Sequence, residues 1–163
     1  PIRPSTPVEP PAIHVHVSGP VMDLPMRTLG DDARGRYLVW QRRHGFSVPY
    51  ALLMQSWSYE VAREPLMVAV TALDSGDPIA LRSAEARQFR QGDFASAVGQ
   101  WQAEPDDARL VGADERLAEM GLEHVVLHLD LLDPVSGERI LDLLLRQLGQ
   151  PRIRTDEALL WDL

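Results

Sequence analysis

The sequence predicts an α+β fold: a helix-dominated single domain over residues 13–163, carrying a small antiparallel sheet and preceded by an extended Pro-rich N-terminal arm over residues 1–12. Three observations carry this. Two short segments alternate apolar and polar residues with the period of a strand. Several longer segments repeat apolar residues at helical spacing. Five prolines, Pro1, Pro4, Pro7, Pro10 and Pro11, favour an extended polyproline-like arm over a packed element.

Ile13–Val17 alternates, with Ile13, Val15 and Val17 on one face and His14 and His16 on the other, and reads as a short half-buried strand that Ser18–Pro20 ends. Residues 31–44 read as a helix, with Asp31 and Asp32 at its start and Gly45 as its stop. Tyr37, Trp40 and His44 share one side of it. Ser47 caps a second helix that is apolar almost all round as far as Ala62. Leu66–Leu73 fits helix or strand and leads to a turn at Asp74–Pro78. Ser83 opens a helical stretch that Gly92 breaks. Asp93 then caps a short helix with Phe94, Val98 and Trp101 on one face, and Pro105 opens another that Gly121 stops.

His124–Leu132 alternates again, with Val125, Leu127, Leu129 and Leu131 on one face and His124, Val126, His128 and Asp130 on the other. Asp133–Glu138 has the composition of a hairpin connection. Arg139–Leu148 then fits a returning strand or a helix, and Gly149 and Pro151 suit a helix stop. Residues 156–163 read as a short acidic-apolar tail.

The composition excludes whole reaction classes. All sixteen basic residues are arginine, and the chain has no cysteine. Without a lysine amine there is no Schiff base or pyridoxal-phosphate anchor, and no P-loop lysine. Without a thiol there is no cysteine nucleophile, iron–sulfur cluster or CxxC zinc site. Histidine and carboxylate chemistry remains. A net charge of −8 opposes a broad nucleic-acid or anionic-membrane surface. With no apolar run of membrane-spanning length and no signal-peptide order at the start, the expected location is the cytoplasm.

The candidate metal ligands are His14 and His16 on the first alternating segment and His124 and His128 on the second. Side chains at i and i+2 of a strand project together, so side-by-side pairing of the two would converge four imidazoles suited to a divalent transition metal. The favoured expectation is nevertheless a wet sheet face with no cofactor, and the metal site is its alternative. No G-x-S-x-G elbow is present, and Ser18-Gly19, Ser75-Gly76 and Ser136-Gly137 read as turns. The paired carboxylates sit where helix capping explains them.

Residues 31–62 also have a helix-turn-helix outline, but the second helix opens on Val48-Pro49-Tyr50-Ala51-Leu52-Leu53, which offers nothing to read base edges. The local basic patch, Arg34, Arg36, Arg42 and Arg43 beside Tyr37 and Trp40, together with Trp161 in the tail, suits a protein partner or a second copy, because Trp and Arg favour interface centres. The sequence therefore favours a non-catalytic accessory or structural subunit of a bacterial or phage assembly. Its rivals are a small metal-dependent enzyme or metal-binding protein, and a DNA-binding regulator.

Overall fold

The structure is a computed structural model that describes residues 11–25, 37, 40, 41, 44–46, 60, 61, 64–75 and 107–163. Arg34, Arg36, Arg42 and Arg43, most of the N-terminal arm and the expected helices at 83–101 lie outside the described residues. Within them, three α-helices accompany one four-stranded sheet: β1 (Val21–Leu24), α1 (Pro65–Ser75), α2 (Ala113–Glu119), β2 (His124–His128), α3 (Pro134–Leu148), β3 (Ile153–Arg154) and β4 (Ala158–Asp162). The fold is α+β, as expected.

The strand order is β1-β2-β4-β3. β1 runs parallel to β2, with Val21 opposite His124 and Asp23 opposite Val126. The β2–β4 and β3–β4 pairs are antiparallel. The sheet is thus mixed, not wholly antiparallel. β1, β2 and the first four residues of β4 are buried throughout.

The first strand is not where alternation places it. Ala12–His16 is a 3-10 helix, closed by His14 N–H donating to Pro11 O and Val17 N–H donating to His14 O. Ile13, His14 and Val17 are buried while Val15 is 79% exposed, so burial follows a helical repeat and not a period of two. β1 begins four residues after Val17. Its sequence Val-Met-Asp-Leu does not alternate, because both of its faces are covered.

The Asp133–Glu138 segment starts a helix. Asp133 is the N-cap of α3: its Oδ1 accepts from the amides of Val135 (3.1 Å) and Ser136 (3.0 Å), and Pro134 occupies the first turn, where a missing N–H costs nothing. An Asp-Pro pair serves a turn or a helix start equally. The buried Gly137, Ile140, Leu143 and Leu144 decide for the helix. Asp133→Ala is expected to lower stability by about 1 kcal/mol, read as a fall of roughly 2–4 °C in Tm. An unchanged Tm would mean that the cap contributes nothing.

Leu66–Leu73 is helical within α1. Glu64 explains the start: its Oε2 accepts from the amides of Leu66 (2.7 Å) and Met67 (3.2 Å). Its Oε1 takes Nε and Nη2 of Arg116 at 3.1 and 2.8 Å, tying α1 to α2. Burial pushes the Glu64 carboxyl up, and these bonds offset only part of that. α1 packs on α3. Gly121, with φ +88°, follows α2 as its expected stop.

The last residues form a strand, not a tail. Thr155 organises the β3–β4 turn by bonding both the amide and the carbonyl of Ala158. Trp161 sits opposite Val125 and is 1% exposed, and its indole N–H donates to Gly149 O at 2.9 Å. Among the described residues no helix is long and apolar enough to cross a membrane.

Candidate metal centre

Parallel pairing and the pleat bring a carboxylate and an imidazole to one place. Asp23 pairs with Val126, so it lies on the same sheet face as Val126 and His128. The 3-10 turn before β1 adds His14. His14 Nε2 lies 2.8 Å and His128 Nε2 2.7 Å from the same oxygen, Asp23 Oδ1. All three side chains are buried, Asp23 and His128 completely. Burial works to raise the Asp23 carboxyl, but the bonds and charge of His128 and His14 prevail and lower it from 3.8 to about 2. Asp23 is therefore a carboxylate in the core. With an ionised acceptor between them, both imidazoles place a proton on Nε2 and turn Nδ1 elsewhere.

Aromatic rings enclose the group. The Trp40 centroid lies 5.3 Å from that of His14 and 4.9 Å from that of His128. Tyr37 stacks on His128 at 5.6 Å and its hydroxyl donates to Pro25 O at 3.0 Å. His44 stacks on His14 at 5.2 Å, with the ring planes 15° apart. Its Nδ1 accepts from the Phe46 amide at 3.1 Å, so Nε2 bears the proton of the neutral ring. Burial, then the charge of His14, lowers the His44 pKa and favours that neutral form, with Asp23 opposing.

Four polar atoms of this neighbourhood are buried with no hydrogen-bond partner among the described residues: Nδ1 of His14, Nδ1 of His128, Nε2 of His44 and Nε1 of Trp40. Each such atom costs roughly 1–3 kcal/mol if nothing meets it. Folded proteins keep few of them, and four around one carboxylate mark a place built for something polar.

His14, Asp23 and His128 can each turn a ligand atom toward one ion, those atoms lying within 4.8 Å of one another. Two imidazole nitrogens and a carboxylate oxygen suit zinc, ferrous iron or manganese. No family model, curated protein or solved structure matches the chain. The functional reading therefore rests on this geometry alone.

The four histidines named from sequence do not converge. His14 and His128 do. His16 points outward on the 3-10 turn, and its carbonyl accepts from Arg152 Nη2 at 2.7 Å. His124 occupies the other end of β2, roughly 13 Å along the strand. The physical reason is the first segment itself: in a 3-10 turn residues i and i+2 diverge, whereas in the expected strand they would project together. Asp23 was missed, since one acid in a four-residue apolar run carries no spacing signal. Tyr37 and Trp40, offered to a partner by the sequence, are buried in this chain over the site, and Trp161 is buried in the sheet.

Proposed function

We propose that this chain is a metal-binding protein holding one divalent transition metal ion through His14, Asp23 and His128. The observation that carries the reading is the carboxylate oxygen shared by two buried imidazoles, within a shell of further buried nitrogens that lack partners. A bound ion supplies Lewis acidity and positive charge. The chain's own residues do the rest. Asp23 and the two imidazoles would hold the ion, with the rings of Trp40 and Tyr37 packed on the histidines. The assembly role loses support by comparison, because its aromatic anchors Tyr37, Trp40 and Trp161 are used inside this chain's core.

Metal analysis tests the reading. Purified protein, or protein titrated with cobalt(II), is expected to take up one equivalent with visible absorption bands, and His128→Ala none. Metal at about 100 times its Kd should stabilise the parent by about 2.7 kcal/mol, a rise of roughly 5–10 °C in Tm. Uptake below about a tenth of an equivalent from zinc, manganese, ferrous iron or cobalt, whose ligand chemistry the site matches, would remove the proposal.

A further inference from the structure

The other end of the same sheet face holds a second arrangement. His124, the first residue of β2, stands directly opposite Asp162 on β4. His124 Nδ1 lies 2.9 Å from Asp162 Oδ1, and His124 Nε2 lies 3.1 Å from Ser18 Oγ. Ser18 comes from the segment between the 3-10 turn and β1, 106 residues away in sequence. We propose that Ser18, His124 and Asp162 form a serine-nucleophile site that cleaves small acyl esters.

The tautomer fits the role. The Ser18 amide donates to His124 Nε2 at 3.1 Å, so that nitrogen presents its lone pair. The proton is then on Nδ1 and is donated to the Asp162 carboxylate. That is the tautomer a general base needs: the one Nε2 lone pair is shared by the amide and the hydroxyl of Ser18, and a carboxylate fixes the ring. Burial fits as well. The His124 side chain is 6% exposed and held, while Ser18 is exposed and reachable. Asp162 is fixed in turn by Arg152, whose Nε lies 2.9 Å from Oδ2 and whose Nη2 donates to His16 O in the turn that leads to Ser18. Asp162 and Arg152 are positioning residues here; Ser18 and His124 are catalytic ones.

The step balances without a further reactant. Ser18 Oγ attacks the ester carbonyl carbon as its proton passes to His124 Nε2. The C–O bond to the alcohol breaks, the alcohol oxygen takes that proton, and an acyl-Ser18 remains. Water then attacks the acyl group, giving one proton to His124, which returns it to Oγ as the acid leaves. Glu123 restricts the substrate. A Cβ on Gly19 would overlap its carboxylate, so an acidic group packs against the residue that follows Ser18. Esters that are neutral or cationic near the carbonyl are therefore favoured over anionic ones.

A fluorophosphonate probe tests this. Oγ bonds to phosphorus, fluoride leaves, and the adduct stays on the serine for mass spectrometry. Ser136, in the first turn of α3, is the internal comparison. Ser18 is expected to label at least about 100-fold faster than Ser136, the gain a positioned general base supplies. Urea should erase the difference, and His124→Gln should remove it in protein that still melts cooperatively. Glu123→Gln should speed labelling. Metal chelation should leave labelling unchanged, which separates this site from the metal centre. Labelling of Ser18 no faster than Ser136 in the folded parent overturns the proposal, whatever the variants do.

Discussion

Asp23→Ala is expected to destabilise the metal-free protein by about 3–5 kcal/mol, because it strips two buried imidazoles of their common acceptor at once. For a chain of this length that is a fall of roughly 6–20 °C in Tm. Urea unfolding with chelator present measures it. Asp23→Asn is the sharper variant. It keeps the shape of the side chain and one oxygen to accept with, so its stability loss should be smaller, about 1–2 kcal/mol, the difference between a charge-assisted and a neutral hydrogen bond. Its metal affinity should nevertheless fall by more than about 100-fold, since even partners of metal ligands are worth 10–100-fold. An Asp23→Ala protein as stable as the parent would show that the histidines are not held by this carboxylate. An Asp23→Asn protein that keeps parental affinity would remove Asp23 from the ligand set.

Trp161→Ala is the second large effect, and it separates two readings of one residue. A tail tryptophan that anchors a partner can be truncated with little change in the isolated chain. In the structure the ring is 1% exposed, opposite Val125 in the middle of the sheet, with its N–H on Gly149 O. Truncation of a buried tryptophan costs about 3–5 kcal/mol, through lost transfer free energy and the cavity left behind. The Tm should fall by roughly 6–20 °C, and the fall should not depend on protein concentration. A variant with parental Tm in dilute solution would return Trp161 to the surface and revive its role as a docking residue.

These two residues show which features could be read from sequence. β2 was legible because His124–Leu132 alternates and is bounded by Gly121 on one side, although the strand stops at His128 and Leu129–Leu131 turns as a 3-10 helix. Gly45 was legible as a stop because a glycine there can take φ +81°, and Gly45 N–H duly closes on Gln41 O. Trp161 was placed in a tail because nothing local announces β4. Four of its five residues are buried, so no polar phase marks a strand. Ile13–Val17 misled for a related reason: five residues are too few to tell a period of two from a tight helical turn, and only burial separates them. Two of the three candidate metal ligands, His14 and His128, were legible because histidines are rare and conspicuous. The third, Asp23, is brought to His128 by a parallel pairing between strands about a hundred residues apart, and such register leaves no mark in either strand alone. The His124–Asp162 pair, at the far end of that strand, was hidden in the same way.

That parallel pairing also carries an expectation about the order of assembly. β2, α3, β3 and β4 follow one another within residues 124–162 and can associate through short loops, whereas joining Asp23 to His128 closes a loop of 105 residues. The added entropy is modest, about 1 kcal/mol beyond that of the 38-residue closure between His124 and Asp162. The delay in finding the partner is the larger consequence, because contacts distant in sequence form slowly. The C-terminal strands are therefore expected to pair first, and β1 last. An ion that grips His14 and Asp23 on one side and His128 on the other would act as the clasp that fastens it.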